Sequence, residues 1–174
     1  MIETDHDAHE PRIRPLRRIQ SIPAWGGNLT QRIVGRPKVS LLDSGLAARL
    51  TNVSPAALAP GSASGHHAGA LVEAFVAGEL RRQSTWSQMT FELFHFRDRN
   101  GLEVDLVIED TARNIAGIEV KASATVEARD FSGLTFLRDK TGARFTLGAV
   151  LYTGREPVRF GDKLWALPLS ALWS

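Results

Sequence analysis

Four charged side chains of this 174-residue chain could share one site: Glu73, Asp105, Glu119 and Lys121. With a period of two, Glu103, Asp105, Val107 and Glu109 fall on one face of a strand, and Leu102, Val104, Leu106 and Ile108 on the other. In the next stretch Gly117, Glu119 and Lys121 share a face, while Ala116, Ile118 and Val120 point away. If the two strands pair, two carboxylates and an amine converge. Carboxylates that close repel, and burial adds to the cost, so the group wants a divalent cation, or the lysine, between them. Two or three oxygens around an octahedral ion that keeps several waters is the usual way of holding magnesium. A lysine beside it can orient or help deprotonate a water, or steady a charged phosphate.

The elements that must position these groups follow from the pattern. Residues 1–16 mix charges with Pro11 and Pro15 without periodicity and read as a poorly ordered tail. Leu16 to Ile22 is a short strand or helix end, and Lys38 to Leu42 a short strand. Asp43 or Ser44 caps a helix to about Leu50. Pro55 to Gly65 is a loop rich in Ala, Ser, Pro and Gly, with one turn after Ser54-Pro55, and holds the main boundary. A helix from Ala68 to about Gln83 centres its apolar stripe on Val72, with Phe75, Val76 and Leu80. Glu73 flanks that stripe. Thr90 to Arg97 alternates as a strand, Asp98-Arg99-Asn100-Gly101 reads as a type I′ hairpin turn, and Leu102 to Glu109 is the partner strand. Ile115 to Ala122 is the next strand. Glu127 to about Lys140 is a helix with Phe131, Leu134 and Leu137 on its apolar face. Phe145 to Tyr152 is a strand, Leu164 to Leu167 a short segment, and Pro168 to Trp173 one helical turn. The order predicts an α/β fold, a mixed sheet with helices on its faces.

Composition sets outer bounds. An apolar share of 43% supports a real core, and the absence of cysteine excludes disulfides and thiolate metal sites. No apolar run approaches the roughly 20 residues that span a bilayer, and Met1 to Glu10 lacks a signal peptide's apolar core, so a cytoplasmic location is expected. The net charge of +2 hints only weakly at an anionic partner, although basic residues cluster at Arg32, Arg36 and Lys38 and at Arg97 and Arg99.

Glu73 on a helix, Asp105 on a strand and Glu119-Val120-Lys121 on a further strand resemble the PD-(D/E)xK nuclease superfamily. A more specific likeness runs through Ile22-Pro23-Ala24-Trp25, Pro37-Lys38-Val39, Leu42-Asp43-Ser44-Gly45-Leu46-Ala47 and Gly69-Ala70-Leu71-Val72-Glu73. It continues through Glu103-Val104-Asp105, Ile118-Glu119-Val120-Lys121, Leu151-Tyr152-Thr153-Gly154 and Trp165-Ala166-Leu167-Pro168. That series, from Leu16 to Ser174, resembles the C-terminal domain of archaeal-type AAA ATPases, domain-of-unknown-function family 4143. The resemblance implies a restriction-endonuclease-like α-β-β-β-α-β core over 61–174, preceded by a winged-helix remnant and linker over 17–60. It also implies a companion P-loop ATPase. The chain has no G-x-x-x-x-G-K-[ST] stretch, so no ATP hydrolysis is expected of it. The ATPase is then a separate chain, or the sequence is a truncated or split gene.

Carried over residue by residue, Asp105 and Glu119 hold Mg²⁺ or Mn²⁺ with the carbonyl of Val120, and Glu73 reaches the ion directly or through water. Lys121 orients the attacking water or holds the scissile phosphate. Arg97, Arg99 and Lys121 would contact nucleic acid. The expected activity is metal-dependent cleavage of nucleic-acid phosphodiesters. The alternative is an inactive module that binds nucleic acid or protein beside the ATPase. The competing reading of each charge is a solvated surface group paired with its neighbours. Glu79 is the rival to Glu73 and is expected to pair with Arg97 or Arg99. His66 and His67 sit in the loop before the helix, where a metal role is the weaker reading. His95, Trp25, Trp165 and Trp173 read as structural. DNA or RNA preference, endo or exo action and oligomeric state stay open.

Overall fold

Residues 18–26, 36–58 and 66–173 are described by the computed structural model, the side chains of His66 and His67 apart. The expected tail at 1–16 lies outside them. Ile19–Ile22 forms strand β1, alternating exposed and buried residues, and pairs antiparallel with β2, Lys38–Leu41. The inward residues tie this arm to the rest: Gln20 Nε2 donates to the Ala74 carbonyl at 2.9 Å, and Ile22 is buried in a core cluster. Helix α1, Ser44–Leu50, starts at Asp43, whose carboxylate accepts from the Leu46 amide at 2.9 Å and satisfies one of the first turn's free N–H groups. A 3-10 turn follows at Pro55–Leu58.

Helix α2 spans His66–Gln83. The two histidines expected in a loop therefore belong to its first turn. Its inward stripe is Val76, Ala77 and Leu80, with Val72 packed alongside. Phe75, expected in that stripe, is instead 36% exposed and rests against Trp173, ring centres 6.0 Å apart. Trp173 comes from a 3-10 turn at Leu169–Trp173 and is itself exposed, so it closes the rim of the core rather than filling it.

Three antiparallel neighbours follow: β3, Phe91–Arg97; β4, Glu103–Asp110; and β5, Ile115–Lys121. The β3–β4 connection differs from the expected type I′ turn, which needs two successive residues at positive φ. Only Gly101 is positive here, at 85°. Asp98 organises the loop instead, its Oδ1 accepting from the amides of Asn100 at 2.9 Å and Leu102 at 2.8 Å. A 3-10 turn, Ala128–Phe131, leads into helix α3, Ser132–Thr141. The chain returns as β6, Phe145–Tyr152, parallel to β5, as a helical crossover requires. Then come β7, Val158–Gly161, and β8, Leu164–Pro168. Strand β7 has no counterpart in the sequence pattern because it is an edge strand without burial alternation.

The sheet order is β3-β4-β5-β6-β8-β7, a six-stranded mixed sheet between helices. On one face α2 packs over Leu106, Ile118, Val120 and Leu151. On the other, Phe131 precedes α3 and Leu134 and Leu137 project from it, all three buried against Val104, Val107, Phe145 and Val150. The α/β class and the helix, three strands, helix, strand order agree with expectation. Among the described residues no helix is long and apolar enough to cross a membrane.

Candidate functional site

The site forms where β4 leaves regular register. Phe94 pairs with Val107, but Phe96 pairs with Val104, so Asp105 and Leu106 together face the single residue His95. This β-bulge corrects the strict alternation expected of β4. Val104 and Val107 both enter the α3-side core, while Leu106 and Ile108 face α2. Bulges bend a strand and re-aim side chains, and they are common beside active sites. Here the β4–β5 pairing ends at Leu106 and Ile118. The Asp105 carboxylate takes over, accepting the Val120 amide on Oδ2 at 2.9 Å.

In β5 the expected facing holds. Ile118 and Val120 join the α2-side core, whereas Gly117 lies under Leu134 and Leu137 of α3. Glu119 lies on that same side, next to Gly133. The helix comes so close there that a Cβ on Gly133 would sit 2.0 Å from the Glu103 carbonyl oxygen, so glycine alone fits. Glu119 is only 9% exposed. Burial, reinforced by the Asp105 charge, pushes its carboxyl up to about 9, which leaves it protonated at neutral pH.

Glu73 of α2, Asp105, Glu119, Val120 and Lys121 line one cleft of about 380 Å³, together with Gly69, Glu103, Arg129, Asp130 and Ser132. The four charged side chains singled out in the sequence therefore do come together. Burial, with the neighbouring Asp105 charge, raises the Glu73 carboxyl above its ordinary range.

The lysine between the carboxylates is not Lys121. Lys38, the first residue of β2, donates to Asp105 Oδ1 at 3.1 Å and ion-pairs with Glu73. Its own pKa is raised: burial alone would lower it, and the opposing attraction of Asp105 and Glu73 outweighs that. Lys121 lies at the cleft mouth, its Nζ 3.6 Å from Asp130 Oδ1. Asp130 is held in turn by the Glu127 amide, which donates to Oδ2 at 2.8 Å. In the sequence Lys38 falls in a cluster of basic residues with Arg32 and Arg36, and Arg129 belongs to no motif. Neither has a periodicity signal, since strand and helix patterns report faces of one element, not meetings between distant ones.

The other expectations fare unevenly. Arg97 pairs with Glu103 at 2.8 Å, Arg99 is exposed, and neither lines the cleft. Glu79 pairs with Arg82 of its own helix at 2.6 Å and accepts from Trp173 Nε1 at 3.1 Å, not with Arg97 or Arg99. His95 is structural: its ring meets the Arg36 carbonyl at 3.0 Å, and its backbone bonds Pro23 and Trp25. Trp25 is buried edge-on to Phe96 and donates to Glu109 at 2.9 Å. A larger cavity, about 680 Å³, lies beside α1 and includes Asp43, Phe75 and Arg82. Its acid caps α1 and its Arg82 is held by Glu79, so the reactive grouping belongs to the smaller cleft.

Among the described residues no three acids or histidines already stand as a metal-ligand set. The donors the cleft does carry are of the hard, oxygen type, the carboxylates of Glu73, Glu103, Asp105, Glu119 and Asp130. A positive charge, the Lys38 ammonium, already bridges Glu73 and Asp105. A family model described as a domain of unknown function (DUF4143) matches residues 68–172. No curated protein and no solved structure matches the chain.

Proposed function

The chain belongs to the DUF4143 family of domains of unknown function, and from that premise we propose that it carries a metal-dependent phosphodiester-cleaving site of the PD-(D/E)xK kind. One observation carries this reading: Glu73 from a helix and Asp105, Glu119 and Lys121 from adjacent strands line one cleft beside a β-bulge. Asp105, Glu119 and the Val120 carbonyl would hold Mg²⁺ or Mn²⁺, with Glu73 in support. When bound, the ion would supply a Lewis acid for the phosphate and a more acidic water. The Val120 amide fixes Asp105 in place. Glu119 must give up its proton to become a ligand, so ion binding would release a proton. Lys121, drawn off Asp130, would hold a phosphate oxygen or orient the water. In the reaction the water oxygen bonds to phosphorus and the P–O bond to the leaving oxygen breaks, that oxygen taking up a proton. Arg129 at the cleft wall is the neighbouring cation best placed to meet the nucleic-acid backbone.

The test is cleavage of single- and double-stranded DNA and RNA with Mg²⁺ or Mn²⁺. The expected outcome is activity that Asp105→Asn abolishes and that Lys121→Ala lowers about a hundredfold. No cleavage of any substrate, together with no Mn²⁺ binding by calorimetry, would refute the reading.

A second reading is favoured by Lys38, whose ammonium bridges the acidic pair without a metal. There the domain is a binding module of the AAA ATPase that the resemblance implies. Nucleic-acid or ATPase binding that survives Asp105→Asn would select it.

A further inference from the structure

Lys38 lies outside the residues that the family model matches, yet its side chain reaches into the acidic cleft. Its backbone is fixed from several directions. It pairs with Ile22, which is buried. The Arg36 carbonyl, two residues earlier, meets the His95 ring at 3.0 Å. Gln20 bonds the carbonyl of Ala74, the residue after Glu73. Arg81 Nη2 donates to the Ser21 carbonyl at 2.9 Å. The arm of β1 and β2 is thus anchored beside α2 and β3, and the flexible part of Lys38 is its four-carbon stem. That side chain is 34% exposed, which leaves it an outward path.

The ammonium bridges Glu73 and Asp105 and sits on Asp105 Oδ1, the oxygen an ion held by Asp105 would use, because Oδ2 accepts the Val120 amide. A divalent ion on that oxygen and the ammonium beside it would repel each other, so the two compete for Asp105 Oδ1. Resting on the nuclease reading above, we propose that Lys38 is a tethered counter-ion that a divalent cation must displace, so that this residue sets the metal affinity of the site. The tether makes the competition intramolecular, so the ammonium acts at a high effective concentration and cannot be diluted away. Lys38 also offsets part of the negative charge of the carboxylates before any metal arrives. A weaker, exchangeable ion would therefore enter a pocket that is already folded.

The experiment is Mn²⁺ titration by calorimetry of wild-type protein and of Lys38→Met, which keeps the stem and loses the charge. The expected result is tenfold or tighter Mn²⁺ binding by the variant. Equal or weaker binding by a folded Lys38→Met overturns the Lys38 proposal while leaving the metal site intact. Absence of Mn²⁺ binding in both proteins overturns the proposal and the nuclease reading together. A wild-type measurement covers the case of a variant that fails to fold. By lysine side-chain NMR, the Lys38 ammonium signal should move on addition of Mg²⁺ while that of Lys163 stays fixed. Lys163 is a suitable control because its Nζ donates to the Phe145 carbonyl at 2.5 Å and it does not line the cleft. An unmoved Lys38 signal at a Mg²⁺ concentration that calorimetry shows to saturate the protein would overturn the displacement.

Discussion

Replacing Glu119 by glutamine should make the metal-free protein more stable at alkaline pH, and the size of the effect follows from its surroundings. Burial and the Asp105 charge raise the folded-state carboxyl from 4.5 to about 9. Between those values the folded chain keeps a proton that the unfolded chain has released. Stability must therefore fall as pH rises through this window, by about 1.4 kcal/mol per pH unit for one proton. The interval from pH 7 to 8.5 is the cleanest place to look. Burial lowers the His95 pKa, giving an opposite slope that ends near its ordinary value of 6.5. The raised Lys38 pKa acts only at and above its ordinary 10.5. Glu73, also raised, gives a downward slope starting from its ordinary 4.5, and it does so in both proteins, so the subtraction removes it. Over this interval wild type should lose about 2 kcal/mol more than Glu119→Gln. The assay is urea denaturation at fixed ionic strength in EDTA, with the two stability-against-pH curves subtracted. Parallel curves would mean that Glu119 is ionised in the folded state. The account of a proton-loaded, crowded acid site would then be wrong.

Other consequences can be checked by similar means. Gly133→Ala should cost about 3 kcal/mol or more, because the new methyl meets the Glu103 carbonyl; a urea midpoint unchanged from wild type would contradict that close approach. Trp25→Phe should destabilise by about 1–3 kcal/mol, since Glu109 loses the indole N–H and keeps Arg113 at 2.8 Å; thermal unfolding reads it directly. Leu134→Ala, at a position with no exposed surface, should cost about 3 kcal/mol by the same measurement.

Features that depend on the periodicity of one element could be read before folding. The α3 residues Leu134 and Leu137, with Phe131 just ahead of them, fall at helical spacing, and all three are buried. The facing of Ile118 and Val120 against Glu119 and Lys121 follows from the pleat of β5 alone. Asp43 announces α1 because a carboxylate at that position can satisfy a free amide. What stayed hidden depends on distant partners. Lys38 meets Asp105 across 67 positions, and nothing local in Pro37-Lys38-Val39 records the meeting. Phe75 looked like core, but its neighbour Trp173 arrives from the chain's far end and holds it at the rim. The β4 bulge has no glycine or proline at Asp105 or Leu106 to mark it, so a regular pleat was the natural reading.

That irregular pleat makes the position of Asp105 a matter of counting residues. Removing Leu106 would let the strand zip into even pairing, and Asp105 would meet different neighbours. Chain length in this short segment is therefore as strict a requirement as the acid itself. A graft that copies Glu73, Asp105, Glu119 and Lys121 onto an evenly pleated sheet would present the right chemistry at the wrong address.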